Sequence, residues 1–435
     1  MERKNKMEIT LAPREQIRGR VKMPGDKSIS HRALILSALA EGTVEITGLL
    51  AAEDTRATRL CLQQLGVEFQ EAGTKLLVRG RGLRGLQEPD DFLQAENSGT
   101  TARLFLGLLA GQPFFSVLTG DRSLRMRPMA RVCKPLRQMG ARIEGRQGGT
   151  LLPLAVRGGN LLPIRYRLPV ASAQVKSALL LAGLYTCGRV ELFEPGPSRD
   201  HTERMLSYLG GRLEKGAPGE IVLAAPCSLA AKKLKIPGDL SSAAFFLVAA
   251  ALAPQGELLL EAVGVNPTRT GIIDVLQEMG AAVRVLNRKE VCGEPVADLW
   301  VQGGRPLTGV AINAPLIPRL VDEIPVLAVA ALFAAGETVI SGAGELRLKE
   351  SDRLHALATE LQKMGAAIKE LPDGLVIQGG QKINGAVCSS HGDHRIAMAL
   401  AVAALFARGE TVVRGIETVD ISFPGFFTLL NSLTA

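Results

Sequence analysis

Residues 24–48, PGDKSISHRALILSALAEGTVEITG, have a counterpart in residues 237–264, PGDLSSAAFFLVAAALAPQGELLLEAVG. Both stretches begin with Pro-Gly-Asp, continue into an apolar run rich in Ala and Leu, and end with Gly and a β-branched segment. This is the order expected for a helix cap, a buried helix and a strand. Because the same phrase is written twice, we expect the fold itself to be duplicated.

Four further copies of the phrase bring the total to six. They are residues 97–120 (NSGTTARLFLGLLAGQPFFSVLTG), 169–196 (PVASAQVKSALLLAGLYTCGRVELFEPG), 315–342 (PLIPRLVDEIPVLAVAALFAAGETVISG) and 391–415 (HGDHRIAMALAVAALFARGETVVRG). Most copies are followed by an amphipathic helix that ends at a Gly cap and by a strand of alternating polarity. CLQQLGVEFQ and VLQEMGAAVRV are examples. Each repeat therefore predicts β-α-β-α-β-β over about 70 residues, which is longer than a solenoid repeat.

Three repeats precede Pro237 and three follow it, so two similar domains are predicted. We assign residues 23–237 to one domain, and residues 1–22 with 238–435 to the other. The first segment reads as a strand of the C-terminal half, which makes the chain cross between domains near Met23 and Pro237. The Ala-rich helices are apolar on nearly every face and are expected in the interior of each domain.

The composition is that of a globular protein: among 435 residues, 46% are hydrophobic and 22% charged. The start, MERKNKMEIT, lacks the apolar core of a secretion signal, and no apolar run reaches the roughly 18 residues of a membrane span. A cytoplasmic protein without membrane contact is therefore expected. Six scattered cysteines disfavour disulfides and structural zinc. The net charge of +8 favours anionic partners, and 4% aromatic residues favour small charged substrates over nucleic acid.

Polar residues collect at the first turns of the repeated helices, where free N–H groups and the helix dipole favour anions. Ordinary N-capping explains Ser, Thr, Asn and Asp at such positions. It does not explain cations, which oppose the dipole. The residues concerned are Lys27, Ser28 and Arg32; Asn97, Gly99, Thr100 and Arg103; and Ser172, Gln174 and Lys176. Their recurrence in equivalent places predicts a shared anion site.

Other stretches add charged candidates, which are Arg122, Arg125, Arg127 and Arg131; Lys349, Glu350 and Arg353; and Asp393, His394 and Arg395. Lys349 and Arg353 are spaced to share a face if the segment is helical. Glu350 and Arg353 also have the spacing of an ordinary surface ion pair. Asp322 opens an otherwise apolar helix, where a helix cap is the alternative interpretation.

Seven motifs, in order, resemble the 5-enolpyruvylshikimate-3-phosphate synthase family from about residue 8 to 430: PGDKSISHR, ENSGTTARL, MRPM, ASAQVKSALL, VDEIPVLAVAA, RLKESDR and GDHRIAMA. The resemblance implies an α/β (α+β) fold with two similar domains and an inter-domain cleft. Each domain would be an inside-out αβ barrel of three βαβαββ units. It also implies a monomer that transfers the carboxyvinyl group of phosphoenolpyruvate to the 5-hydroxyl of shikimate 3-phosphate, with no metal or organic cofactor.

The resemblance also implies roles for individual residues. Those expected to bind shikimate 3-phosphate are Lys27, Ser28, Arg32, Ser172, Ala173, Gln174, Arg199, Asp322 and Lys349. Those expected to bind phosphoenolpyruvate are Lys27, Gly99, Arg127, Gln174, Arg353 and Arg395. Asp322 is the expected base toward the 5-hydroxyl, and Glu350 and Lys27 are expected to exchange the proton at the enolpyruvyl carbon. Several guanidiniums suit this task because the two anionic substrates repel each other.

Some positions depart from the family pattern. Ile421 stands where a Lys is often found, Glu345 where an Asn is common, and Ala173 replaces the second Ser of a Ser-Ser-Gln motif. GDKS, SAQVK, RDHTE and NPTR resemble the class II subgroup, which is associated with glyphosate tolerance. Gly99, in contrast, is the small residue found in sensitive enzymes.

Two other functions compete with this interpretation. The aminosugar enolpyruvyl transferases share the architecture, but they usually carry a Cys where this chain has Arg122. A nucleic-acid clamp is the other alternative. It would require cations spread over a surface, whereas the acids Asp322 and Glu350 stand among the cations here.

Overall fold

The structure is a computed structural model, and it describes residues 7–217 and 219–434. The chain divides into two compact units. Unit 1 comprises the chain up to Pro24, Gly238–Lys289, and the chain from Pro295 onward; unit 2 comprises Gly25–Pro237 and Glu290–Glu294. The sequence repeats do not predict that the short Glu290–Glu294 segment groups with unit 2.

The strands follow the chain in this order: β1 (Glu8–Leu11), β2 (Gln16–Lys22), β3 (Ala40–Thr47), β4 (Glu68–Ala72), β5 (Lys75–Arg81), β6 (Leu93–Gln94), β7 (Phe115–Thr119), β8 (Arg142–Gly145), β9 (Leu151–Arg157), β10 (Arg165–Arg167), β11 (Gly188–Phe193), β12 (Leu213–Lys215), β13 (Glu220–Ala225), β14 (Leu229–Ala230), β15 (Leu234–Lys235), β16 (Gln255–Gly264), β17 (Ala282–Val291), β18 (Glu294–Gln302), β19 (Ala311–Ile312), β20 (Glu337–Ile340), β21 (Ala367–Leu371), β22 (Gly374–Gln378), β23 (Val387–Ser389) and β24 (Thr411–Arg414).

The α-helices are α1 (Lys27–Ala38), α2 (Glu53–Gln64), α3 (Gly99–Ala110), α4 (Ala130–Gln138), the single turn α5 (Arg146–Gly149), α6 (Ala173–Gly183), α7 (His201–Tyr208), α8 (Leu240–Leu252), α9 (Gly271–Glu278), α10 (Ile324–Phe333), α11 (Arg353–Lys363), α12 (His394–Ala404) and α13 (Phe426–Leu433). Short 3₁₀ helices cover Leu124–Met126, Ile317–Arg319, Gly344–Leu348 and Ile416–Ile421.

The sheets repeat one topology. In the second repeat of unit 2 the strand order is β6-β7-β9-β8, where β6 pairs parallel with β7 and the remaining pairs are antiparallel. Three other four-stranded sheets follow the same plan: β10-β11-β13-β12, β17-β18-β16-β2 and β19-β20-β22-β21. The sheet β14-β3-β5-β4 does so as well, and in it β15 also pairs with β3. This is the predicted βαβαββ unit, and the mixed α/β class is confirmed.

The sixth repeat is shorter than the others. Its sheet has the order β1-β24-β23, in which β23 pairs parallel with β24 and β1 pairs antiparallel with β24. In the described residues α13 follows β24, but no hairpin follows it. This agrees with the sequence, in which the amphipathic second phrase follows most copies of the motif but not the last.

The N-terminal segment supplies two strands, although the sequence suggested one. β1 pairs with β24, and β2 pairs parallel with β16, from Gln16 opposite Gln255 to Lys22 opposite Glu261. Pro13 lies between them and has no backbone N–H to donate, so a continuous strand is disfavoured there.

The Ala-rich helices form the cores, as predicted. α8, α10 and α12 are buried along nearly their whole lengths in unit 1, and α1, α3 and α6 are buried beyond their first turns in unit 2. Small residues let these helices approach closely. A Cβ on Gly107 of α3 would lie 2.1 Å from the carbonyl oxygen of Ala178 in α6. No helix in the described residues is long and apolar enough to cross a membrane.

Candidate active site

The first cluster of charged groups lies in unit 1 around Arg353, which is 1% exposed. Its Nε donates to Asp393 at 2.8 Å, and one terminal nitrogen donates to Glu350 at 2.6 Å and to the second oxygen of Asp393 at 3.3 Å. The other terminal nitrogen donates to Asp322 at 3.4 Å. These bonds use four of the five guanidinium N–H groups. One buried cation thus gathers three carboxylates.

Charge balance explains why this cluster tolerates burial. Burial by itself lowers the pKa of Arg353, but Asp393, Glu350 and Asp322 overcome that effect and raise it. Burial likewise raises the pKa of Asp393, yet the Arg353 guanidinium holds it below its ordinary value. Asp393 is also the N-cap of α12 and accepts from the backbone N–H of Arg395 at 2.9 Å. The cation–carboxylate pair is therefore tied into a helix start.

Arg395 closes the cluster on its other side. One of its terminal nitrogens donates to the backbone carbonyl of Asp322 at 2.8 Å, and the other lies 3.8 Å from the Asp322 carboxylate. The side chains of Asp322 and Glu350 keep 16% and 20% of their surface exposed, whereas Arg353 keeps 1%. The two carboxylates therefore face accessible space while their counter-ion does not.

Two sequence expectations in this region need correction. Lys349 and Arg353 do not share a helical face, because α11 begins at Arg353 and Asp352 caps it by accepting from the His355 N–H at 3.1 Å. Lys349 instead pairs with Glu345 at 2.8 Å. The Glu350–Arg353 pair does exist, but with Arg353 buried it is not the surface pair that the spacing allowed.

Capping does not account for the acids before α10. Glu323 occupies the N-cap position but accepts no cap hydrogen bond from this helix. It lies buried and accepts from the hydroxyl of Ser241 at the start of α8. That start is capped by Asp239, which accepts from the Ser241 N–H at 2.8 Å and pairs with Arg269 at 3.1 Å. The copy of the Pro-Gly-Asp phrase that lacks Lys and Arg thus supplies the cap of α8.

The second cluster lies in unit 2, where α1, α3 and α6 begin. At α1, Asp26 caps the helix by accepting from the Ile29 N–H at 2.8 Å. Lys27 Nζ lies 2.9 Å from Asp54 Oδ2, and both side chains keep a small exposed surface. Ser28 is partly buried beside them. A cation, a hydroxyl and a helix N-terminus are therefore adjacent here.

Arg32 points inward from the same helix and is 4% exposed. It donates to Thr202 at 2.6 Å, to Ser177 at 2.8 Å and to the Ser28 carbonyl at 2.9 Å. Burial lowers its pKa to about 10, with acidic Glu203 opposing this and Arg199 adding to it. The positive charge of Arg32 therefore lies in the interior beside the start of α1. Three of its five N–H donors already bond to protein oxygens.

The start of α3 brings Gly99 close to two arginines. A Cβ on Gly99 would lie 2.8 Å from a terminal nitrogen of Arg103 and 3.5 Å from one of Arg127. Arg127 donates to the Asn97 side-chain oxygen at 2.7 Å, and the Asn97 amide donates to Asp121 at 2.6 Å. Glycine here keeps the helix N-terminus open between the two guanidiniums.

The start of α6 is tied to α3 through Gln174. The Gln174 amide donates to the Thr100 hydroxyl at 3.0 Å, and its oxygen accepts from Arg103 at 2.9 Å. Ser172 caps α6 by accepting from the Val175 N–H at 3.5 Å, and Ala173 is the first helical residue. Ser172, Ala173 and Gln174 are all partly buried, so the turn retains an accessible edge.

Lys176 is buried between two glutamates and is almost inaccessible to solvent. It is 1% exposed and lies 2.7 Å from Glu194 and 2.7 Å from Glu203. Burial alone would lower the pKa of Lys176, but the two glutamates raise it. Arg199 is partly exposed and close enough to Arg32 to influence its pKa. Of the two side chains, Arg199 keeps the larger exposed surface.

Sequence reasoning missed the partners that hold these side chains. Asp54 is the partner of Lys27, and Asp393 is the main partner of Arg353. Asp393 carried a signal, since it repeats the Gly-Asp start of the two Pro-Gly-Asp helices. Asp54 carried none, because nothing in the chain marks it as a neighbour of a residue 27 positions earlier. Among the described residues no group of three or more potential ligands could hold a metal ion.

Known proteins resemble the chain over nearly its full length. The family model of EPSP synthase (3-phosphoshikimate 1-carboxyvinyltransferase) matches residues 11–430. The chain is 55% identical over 425 residues to the 3-phosphoshikimate 1-carboxyvinyltransferase of Pelotomaculum thermopropionicum, with 98% of each chain covered. It is 56% identical to that of Synechococcus sp. (strain JA-3-3Ab), with 98% of this chain and 96% of the relative covered. The structure of EPSP synthase from Acinetobacter baumannii matches with a TM-score of 0.89 and 42% identity over 99% and 98% of the two chains.

The fold and the two clusters define a mixed α/β enzyme that handles anionic substrates. Over nearly its full length the chain is similar in sequence and in structure to members of one enzyme family. The chain belongs to the EPSP synthase family, the 3-phosphoshikimate 1-carboxyvinyltransferases.

Proposed function

We propose that the chain transfers the carboxyvinyl group of phosphoenolpyruvate to the 5-hydroxyl of shikimate 3-phosphate and releases phosphate, a step of the shikimate pathway. Family membership supplies the reaction. The structural observation that supports it best is the pair Asp322 and Glu350, held by buried Arg353 next to Arg395. Acids among cations hinder simple anion binding, but they are required where protons move between groups.

The proposed ligands of shikimate 3-phosphate include Asp322, Lys349 and the helix starts of unit 2. The helix starts offer free backbone N–H groups together with hydroxyl and amide side chains, a combination suited to phosphate. The proposed ligands in unit 2 are Lys27, Ser28, Arg32, Ser172, Ala173, Gln174 and Arg199. Because Arg32 uses three donors internally, we assign it the remaining donors and its charge.

Phosphoenolpyruvate is proposed to be held mainly by arginines. The proposed ligands are Lys27, Gly99, Arg127, Gln174, Arg353 and Arg395. Arg395 is the principal cation of unit 1, since the four hydrogen bonds of Arg353 to carboxylates leave it one N–H. Gly99 lets the anion reach the N–H groups of α3 without a side chain in the way.

The chemistry is an addition followed by an elimination. In the addition, the 5-oxygen bonds to the central carbon of phosphoenolpyruvate, its proton passes to Asp322, and the methylene carbon gains a proton to become a methyl group. In the elimination, that methyl group loses a proton, the carbon–oxygen bond to phosphate breaks, and phosphate leaves. Glu350 and Lys27 exchange the proton at the methylene carbon. Asp322 and Glu350 are suited to these roles because both are held in place yet partly exposed.

Phosphate release with different acceptors tests the proposed function. With phosphoenolpyruvate present, shikimate 3-phosphate is expected to trigger phosphate release, and UDP-N-acetylglucosamine is not. Release only with the UDP-sugar would identify the aminosugar reaction instead. Absence of release with either acceptor, combined with salt-sensitive DNA binding, would favour the nucleic-acid clamp.

We also propose that the chain belongs to the class II subgroup and tolerates glyphosate. GDKS, SAQVK, RDHTE and NPTR support this, with Arg199 as a phosphate ligand in place of a hydroxyl. In the phosphate-release assay, half-inhibition is expected well above micromolar glyphosate. An inhibition constant in the low micromolar range or below would contradict the subgroup assignment.

A further inference from the structure

Four buried side chains connect α1, α2 and α3 by an unbroken series of hydrogen bonds. His31 Nδ1 lies 2.7 Å from Thr58 Oγ1, which lies 2.7 Å from Thr101 Oγ1. Thr101 Oγ1 in turn lies 2.7 Å from Ser98 Oγ. We call these four residues the His31 relay; each is at most 1% exposed.

The relay joins the start of α1 to the start of α3. His31 lies one turn after Lys27 in α1. Ser98 is the N-cap of α3, where it accepts from the Thr101 N–H at 3.2 Å, and it directly precedes Gly99. A change in the relay therefore acts on the first turn of α3.

Two more sets of hydrogen bonds complete a ring. Gln174 ties α6 to α3 through Thr100 and Arg103. Arg32 ties α1 back to α6 through Ser177 at 2.8 Å. The three helix starts of unit 2 are thus linked pairwise, and the His31 relay is the part of this ring that contains no proposed substrate ligand.

The polarity of the relay follows from its ends. His31 Nε2 is buried and has no hydrogen-bond partner within residues 7–217 and 219–434. A proton on Nε2 would be an orphaned buried donor, which costs more than a bare acceptor nitrogen. The proton therefore belongs on Nδ1, so His31 donates to Thr58, Thr58 to Thr101, and Thr101 to Ser98. Burial, together with Lys27 and Arg32, lowers the pKa of His31 well below its ordinary value.

We propose that the His31 relay is a positioning device that fixes the first turn of α3 relative to α1 so that both helix starts engage the substrates together. The proposal rests on the proposed function, in which the start of α3 receives phosphoenolpyruvate and that of α1 contacts both substrates. Thr58 is the central link. Its two relay hydrogen bonds go to residues that are not proposed ligands, and these partners lie on different helices.

Replacing Thr58 with Val tests the relay, because Val keeps the shape and removes the hydroxyl. We expect Thr58→Val to raise KM for phosphoenolpyruvate about tenfold, with kcat lowered less than about threefold, because two buried partners lose their hydrogen bond. Thr58→Ser keeps the hydroxyl and is expected to stay within about twofold of the parent chain. Thr186→Val is the matched control, since Thr186 is also buried, and within the described part of the chain its hydroxyl donates to Gly183 near the C-terminal end of α6.

The outcomes separate the inference from the proposed function. If Thr58→Val keeps the parental KM, or shifts no more than Thr186→Val, the relay does not position the site. If the unaltered chain shows no transfer at all, the proposed function fails instead. If Thr58→Val does not fold, a measurement on the unaltered chain still tests the relay.

Nitrogen NMR of the unaltered full chain provides that measurement. With only five histidines, ¹⁵N-imidazole labelling gives few signals, and His31 is assigned by its loss in His31→Asn. We expect neutral His31 with its proton on Nδ1 near pH 7. A proton on Nε2, or an imidazolium at that pH, would overturn the relay whether or not the chain is active.

Discussion

Replacing Glu350 with Gln is expected to lower kcat by about 10²- to 10⁴-fold, the range typical for loss of a general acid–base group. Gln keeps the size of the side chain and its hydrogen bond from Arg353, but it cannot exchange a proton. Binding of shikimate 3-phosphate is expected to stay within a few-fold, because no contact to that substrate is assigned to Glu350. Phosphate release gives kcat, and calorimetric titration gives the affinity.

A suitable control for this experiment is Glu370→Gln. Glu370 is also a unit 1 glutamate in an ion pair, 2.7 Å from Arg347, but it is not assigned to the site. Its replacement is expected to leave kcat within about twofold, since exposed ion pairs contribute about 0–1 kcal/mol. A near-normal kcat for Glu350→Gln would refute its role as a proton carrier. Loss of substrate affinity together with kcat would assign Glu350 to binding.

The second large effect is expected on stability. Arg353→Met removes the buried cation and leaves Asp393 without its charge partner. Breaking a buried pair from one side costs about 3–5 kcal/mol in the free energy of unfolding. The variant should also lose activity, since Asp322 and Glu350 lose the group that holds them.

Trp300 makes this effect measurable in unit 1 alone. It is the only tryptophan and lies in β18, within the part of the chain assigned to unit 1. Urea unfolding followed by its fluorescence therefore reports on the unit that contains Arg353. Arg347→Met is the matched control, because Arg347 pairs with Asp352 and Glu370 near the surface. If the two variants were destabilised equally, the buried cluster would not be the structural centre that we describe.

Much of the fold was predictable because the repeats mark it. The Ala-rich helices, the Gly caps and the βαβαββ order follow from local sequence periodicity, and the structure reproduces them. The charged residues at the helix starts could also be singled out in the sequence, since cations are unexpected at positive helix ends, and their roles stay predictions. Six repeats gave six chances to see the same pattern.

The pairing of side chains was not predictable in the same way. Arg353 selects Asp393, 40 residues later, and Lys27 selects Asp54 on another helix. Local spacing instead suggested that Lys349 and Arg353 share a face, which fails because Asp352 starts a new helix between them. Arg32 and Lys176 look alike in sequence as cations near helix starts, yet Lys176 pairs with two glutamates, whereas Arg32 donates to two hydroxyls and a carbonyl. Partner choice depends on tertiary packing, which no single segment encodes.

The central chemical claim is that the enolpyruvyl methylene becomes a methyl group and then a methylene again, with Asp322, Glu350 and Lys27 exchanging the protons. Running the reaction in D₂O and examining the vinyl protons of the product by NMR tests it most directly. We predict deuterium in the vinyl group of the product, because a transient methyl group loses any of its hydrogens. A product whose vinyl group contains no deuterium would show that the carbon is never protonated, and it would contradict the account.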